Sequence, residues 1–156
     1  DGSRMAGRLT PDKSTGKEIY LSDYDGANPF RMTVNRSLNI SPSWSPTGGF
    51  LAYTSYQSGE PDIYLANLGQ VGRAPARPAQ GTDRIHNQMA SWSPDGNRLA
   101  FVSNRSGRTD VWIVNRDGTG LQNLTNSPNQ GVSNWAPTWL TNWTMDFTRS
   151  CGTPGA

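Results

Sequence analysis

Residues 91–113 read SWSPDGNRLAFVSNRSGRTDVWI, and residues 43–65 read SWSPTGGFLAYTSYQSGEPDIYL. The two align without a gap. Trp44 falls on Trp92, Pro46 on Pro94, Gly48 on Gly96, Ala52 on Ala100, Ser55 on Ser103, Gly59 on Gly107 and Asp62 on Asp110, an offset of 48 throughout. Partial copies flank this pair. Upstream, GKEIYLSDYDG (16–26) parallels RTDVWIVNRDG (108–118); downstream, Pro137-Thr138-Trp139 parallels Pro42-Ser43-Trp44. Two full repeats and two partial ones, with a period of roughly 40–50 residues and several strands per unit, are the signature of β-propeller blades.

Each repeat reads as strands joined by tight turns. Val111-Trp112-Ile113-Val114 is apolar on both faces, as a strand covered on both sides requires. Ser93-Pro94-Asp95-Gly96 sets φ with Pro, accepts a local hydrogen bond with Asp and supplies a left-handed position with Gly. Asp25-Gly26 and Asp117-Gly118 suit hairpins between later strands. Strands are expected near 4–10, 18–23, 29–33, 40–44, 49–55, 61–67, 75–80, 88–92, 98–103, 110–115, 121–124, 135–139 and 143–149.

Composition agrees with this reading. The 156 residues include 17 Gly and 11 Pro, which breaks the long runs a helical bundle needs. Six Trp and an aromatic content of 10% oppose disorder. No apolar run approaches the ~18 residues of a membrane-spanning helix. The net charge of +2 is too small to imply a nucleic-acid partner. The single cysteine, Cys151, offers neither an internal disulfide nor a cysteine metal site. A chain that opens on Asp1 also leaves room for an upstream segment that was removed or left out.

The Trp92-Ser93-Pro94-Asp95-Gly96 turn, with Leu99-Ala100-Phe101, Ser103-Asn104-Arg105-Ser106-Gly107, Asp110-Val111-Trp112, Asp117-Gly118 and Leu124-Thr125, resembles the TolB-type propeller repeat. The resemblance is specific across 40–125. It degrades at Leu140-Thr141-Asn142-Trp143, where the turn has neither Pro nor Gly. It implies a bacterial protein of the periplasm or cell exterior with a mainly protein-binding role. The same repeat builds propellers attached to serine peptidases, whose chemistry lies in another domain.

The expected architecture is all-β: about three four-stranded antiparallel blades of a TolB-like propeller, forming an open arc. The expected division is a partial blade at 1–39, full blades at 40–87 and 88–130, a partial blade at 131–149 and a tail at 150–156. Closed propellers typically use four to eight blades. An arc bares the apolar sides of its end blades, and ~500 Å² left wet forgoes roughly 12 kcal/mol before the costs of association. The arc is therefore expected to be covered, by a second copy of itself or by a larger assembly.

Trp135, Trp139 and Trp143 recur at every fourth residue; they read either as packing between blades or as a docking surface. Arg73, Arg77 and Arg84 form a conceivable basic patch, but no aromatics interleave with them to stack bases. His86, the only histidine, reads as a loop hydrogen-bonding group, and Gly131-Val132-Ser133-Asn134-Trp135 breaks the nucleophile-elbow pattern at its last position. Asp23-Tyr24-Asp25-Gly26-Ala27-Asn28 loosely resembles a calcium loop, but recurrence of its turn at Asn115-Arg116-Asp117-Gly118 favours turn chemistry. Glu18, Asp62 and Asp110 open one strand type; each is expected to accept N–H groups from the preceding Ser-Gly turn or to meet Arg105 in its own repeat.

The sequence thus predicts a non-enzymatic interaction or scaffold subunit with no cofactor, no metal and no catalytic residue. Its expected partner is a protein: a membrane-associated complex on the periplasmic side, or a second copy. The alternatives are a propeller fragment of a larger enzyme of peptidase type, and a self-associating half-propeller that binds a ligand at the ring mouth.

Overall fold

A computed structural model describes residues 4–9, 16–126 and 132–151. Among the described residues, twelve strands lie in four antiparallel sheets in chain order. The first sheet holds β1 (Arg4–Leu9), β2 (Glu18–Asp23) and β3 (Phe30–Arg31). The second holds β4 (Asn39–Trp44), β5 (Phe50–Ser55) and β6 (Asp62–Asn67). The third holds β7 (Asn87–Trp92), β8 (Arg98–Ser103), β9 (Asp110–Asn115) and β10 (Gln122–Asn123), and the last β11 (Val132–Trp139) and β12 (Met145–Cys151). Each sheet is a meander, and among the described residues the sheets form an open all-β arc.

Register makes the repeat physical. Ala6 lies opposite Leu21, Ala52 opposite Leu65 and Ala100 opposite Ile113. So β1, β5 and β8 fill one slot, and β2, β6 and β9 the next. The Ser-Pro turns close as expected: Gly48 N–H donates to the Ser45 carbonyl and Gly96 N–H to that of Ser93, with φ of +77° and +70° at the two glycines. Tertiary packing alternates with the sheets. Ile19, Leu21, Leu51, Tyr53 and Tyr64 fill the space between the first two sheets. Ile63, Leu65, Trp92, Leu99, Phe101 and Val114 fill the next space.

One expected strand is missing. Near 75–80 only Ala76 pairs, exchanging both backbone bonds with Leu65 at 2.8 and 3.0 Å. Pro78, two residues beyond Ala76, has no N–H to extend that bridge into a ladder. The second sheet therefore has three strands where four were expected.

The inner strands carry a recurrent bulge. Between Ile40 and Ser43, between Gln88 and Ser91, and between Trp135 and Thr138 the register slips. One residue inside each slip has positive φ without being glycine: Ser41 (53°), Met89 (58°) and Ala136 (48°). An extra residue reverses the alternation of faces. Asn87 and Trp92 are five residues apart and would otherwise point to opposite faces; with the bulge both reach the preceding sheet.

Candidate interaction surface

Two kinds of contact join successive sheets, the first at all three junctions and the second at two of them. The first joins a buried acid to a buried asparagine. Asn39 Nδ2 donates to Glu18 Oε2 (3.2 Å), Asn87 Nδ2 to Asp62 Oδ1 (2.9 Å) and Asn134 Nδ2 to Asp110 Oδ1 (3.2 Å). The same asparagines donate their backbone N–H to the carbonyls of Lys17, Pro61 and Thr109, each the residue before the acid. All three asparagines are wholly buried.

The remaining acid oxygens are satisfied locally. Arg31 and Thr33 serve Glu18, and Arg77 Nε serves Asp62 at 2.8 Å. Ser106 Oγ (2.7 Å), Asn123 Nδ2 (3.0 Å) and Thr125 Oγ1 (2.9 Å) serve Asp110. The expectation for these carboxylates needs correction. Among these donors only Ser106 comes from a Ser-Gly turn, and it donates its hydroxyl. Arg105 reaches Asn87 Oδ1 (2.9 Å) and the Ala79 carbonyl (2.7 Å) instead, because Asn87 already bridges to the acid of the preceding sheet. Burial pushes the Arg105 pKa down, and the nearby Asp62 opposes that shift.

The second contact is made by tryptophan. Trp92 Nε1 donates to the Ser43 carbonyl at 3.0 Å, and Trp139 Nε1 to the Ser91 carbonyl at 3.2 Å. The third member, Trp44, has a buried Nε1 with no acceptor.

The three C-terminal tryptophans differ in burial. Trp139 is half-buried in the joint just described, while Trp135 is exposed and Trp143 is 88% exposed. The Arg98 guanidinium lies 4.9 Å from the Trp139 ring centre and 5.1 Å from that of Trp143, so one cation contacts both indoles. Asn142 fixes the intervening turn: its Oδ1 accepts Asp95 N–H at 2.9 Å and its carbonyl accepts Arg98 Nη2. Sequence reasoning missed Arg98 and Asn142. The only available signal was that the degenerate turn keeps a polar residue, Asn142, where its counterparts carry Asp95 and Thr47.

The three arginines differ in their surroundings. Arg73 lines a depression with Phe50, Ala76, Arg116 and Asp117. Arg77 lines another, pairs inward with Asp62 and lies 5.3 Å from the Tyr64 ring centre. Arg84 lines neither; it is exposed at φ +70°, and its carbonyl accepts Asn104 Nδ2 at 3.0 Å.

The remaining candidates are turn and loop chemistry. His86 Nε2 sits 2.8 Å from Glu60 Oε2 in an exposed pair. Asp25 Oδ1 accepts Ala27 N–H and Asp23 Oδ2 accepts Asn28 Nδ2, closing the hairpin that loosely resembled a calcium loop. Gly131 and the tail beyond Cys151 lie outside the described residues. Hydrogen bonds from Ser93 and the Asn97 backbone hold the Asp95 carboxyl below the usual carboxylate range, and those from Thr119 do the same for Asp117. Burial, with Tyr64 and Glu18 nearby, pushes the Tyr53 phenol well up. Among the described residues no three His, Cys, Asp or Glu side chains converge as metal ligands. No helix among them is long and apolar enough to cross a membrane.

Comparison with known proteins places this geometry. Tol-Pal system protein TolB of Desulfosudis oleivorans is 53% identical over 66 residues, which are 42% of this chain and 15% of that protein. The structure of putative TolB from Agrobacterium tumefaciens superposes with a TM-score of 0.72 at 27% identity, covering 87% of this chain and 46% of that one. A puromycin-hydrolyzing peptidase of Mycobacterium tuberculosis matches with a TM-score of 0.65 over 87% of this chain and 22% of its own; at 16% identity it shares the fold alone. The chain thus matches less than half the length of these relatives. The profile of the TolB beta propeller domain matches residues 7–148, and the chain belongs to that family.

Proposed function

We propose that this chain is a protein-binding propeller segment that works without catalysis in a Tol-Pal type assembly on the periplasmic side of a bacterial envelope. The observation that carries the reading is the exposed indole of Trp143, held against Arg98 with Trp139 on the same cation. A large aromatic left in water yet fixed in orientation loses little entropy on docking, and Trp and Arg are enriched at interface hot spots. Trp135 and Leu140, both exposed in the same sheet and turn, extend the apolar surface. The name Tol-Pal system protein TolB, carried by the Desulfosudis oleivorans relative, supports the choice of assembly. On this reading the blades divide at 1–39, 40–87, 88–130 and 131–149, and the last one docks.

The test is retention of the tagged chain by detergent-solubilised bacterial envelopes, with bound proteins identified by mass spectrometry. Recovery of Tol-Pal components, lost in a Trp135→Ala, Trp143→Ala double variant, is the expected result. Equal recovery by the double variant, or a monodisperse monomer that retains no Tol-Pal component, would overturn it.

A further inference from the structure

We propose that the depression shared by the second and third sheets binds a single carboxylate carried on an apolar body, with Arg73 and Arg116 on the anion and Phe50 and Ala76 against the body. This rests on β5, β6 and the turn after β9, and is independent of the docking surface at Trp143.

The depression has a volume of about 340 Å³, and pockets of roughly 300–1,000 Å³ hold small ligands. β5 gives it Phe50, β6 gives Leu65, the connection after β6 gives Arg73 and Ala76, and the turn after β9 gives Arg116 and Asp117. The second and third sheets each pack on a neighbour on either side, so these walls belong to the interior of the arc. At the repeat offset of 48, Arg116 corresponds to Leu68 and Phe50 to Arg98. The pairing of cation and ring here is therefore not something the repeat dictates.

Among the described residues neither arginine makes an ion pair. Arg73 Nη1 donates to Gln70 Oε1 at 3.3 Å, a long bond to a neutral group. Arg116 is held in place beforehand. Its backbone N–H donates to the Asn97 carbonyl at 2.9 Å, and its guanidinium lies 4.7 Å from the centre of the Phe50 ring. That ring is itself fixed, 6.4 Å from the ring of Trp92. A ring beneath a guanidinium accepts none of its conventional hydrogen bonds, so the donors stay available to an anion.

The lining sets the ligand's class. Two arginines against one aspartate leave one positive charge unbalanced, which suits a monovalent carboxylate better than a phosphate. Asp117 Oδ1 already accepts the Thr119 N–H at 2.9 Å and its hydroxyl at 2.6 Å, so the aspartate does not neutralise both cations. Guanidinium donors match the two oxygens of a carboxylate. Phe50 is half-buried and Ala76 exposed, an apolar wall that an ion alone would leave wet. A small apolar acid and the end of a polypeptide with an apolar last residue carry this same chemistry.

The probes are N-acetylphenylalanine and a hexapeptide with a free C-terminal phenylalanine, each with its amide as control, titrated into the full chain by calorimetry. At least one free carboxylate should bind at millimolar concentration, and the amides should not. Equal affinity for both acids assigns the site to a polypeptide end; binding of N-acetylphenylalanine alone assigns it to a small acid. Arg73→Gln and Arg116→Gln should each weaken binding at least about tenfold, since each removes a charge-assisted bond. Arg84→Gln removes an equal charge outside the depression and should leave affinity unchanged. Arg73 is exposed, so Arg73→Gln spares the fold and decides the matter if Arg116→Gln does not fold. Failure of both acids to bind, equal binding of the amides, or full affinity in the arginine variants would overturn the proposal. So would inorganic phosphate that displaces the acid at a lower concentration than the acid itself requires.

Discussion

Asn87 Nδ2 lies 2.9 Å from Asp62 Oδ1, so the first residue of one sheet's inner strand is bonded to the first residue of the preceding sheet's third-slot strand. The pair is buried on both sides, and Arg105 closes it by donating to Asn87 Oδ1. Asn87→Ala would leave the Asp62 carboxylate short of a donor and the Arg105 guanidinium short of an acceptor. A loss of about 2–3 kcal/mol is expected, because unmet hydrogen bonds of buried charged groups cost more than neutral ones. Asn87→Asp should cost more, since it sets a second carboxylate against the first. Urea denaturation followed by tryptophan fluorescence measures both.

The tryptophans make a matched comparison. Trp92→Phe and Trp44→Phe remove the same atoms from equivalent positions, but only the first breaks a hydrogen bond. Trp92→Phe should therefore be the costlier by about 1–2 kcal/mol. Equal losses in denaturant midpoint would show that the bond to the Ser43 carbonyl contributes nothing.

The bulges hold non-glycine residues in the left-handed region, at a cost of roughly 1 kcal/mol each. Ala136 is exposed, so little packing opposes its replacement. Ala136→Gly should raise stability by about 0.5–1 kcal/mol. Gly96→Ala should do the reverse: φ is +70° there, and a Cβ would come within 3.0 Å of Thr47 Cγ2. Thermal melts of the two variants should move in opposite directions.

Asp95 predicts an acid dependence. Ser93 Oγ and the Asn97 N–H favour its ionised form in the folded chain, so its folded pKa lies below its unfolded one. Its contribution is complete above the unfolded value, about 3.9, and is lost as pH falls through the lower folded value. Asp95→Asn should be less stable than the parent at neutral pH and should lose less on acidification from about pH 5 to about pH 2. Parallel curves across that window would refute the assignment.

The repeat was readable because Trp, Pro, Gly and Ala recur at fixed slots, and each slot imposes one conformation or one contact. The inter-sheet joints were not. Glu18, Asp62 and Asp110 were visible as a series, but their asparagine partners lie 21 to 25 residues further on. Pairing them requires knowing that the inner strand reverses its faces midway. Ser41, Met89 and Ala136 give no hint of that reversal, since none is the glycine that usually marks a left-handed position. Arg98 and Asn142 were missed for a related reason: they meet across two sheets, 44 residues apart, at a turn where the repeat fades. The lost strand near 75–80 had its signal in Pro78, whose missing N–H counts for more than the apolar residues around it.

The backward-reaching asparagine has a consequence for how the molecule comes apart. Each sheet is riveted only to its neighbours, so the free energy of the whole behaves as a chain of coupled links, as in other repeat architectures. Such a chain melts inward from its tips. Amide exchange should be fastest in β1–β3 and β11–β12 and slowest in β5 and β8, and a broken rivet at Asp62 should split the unfolding transition where one at Glu18 only frays it.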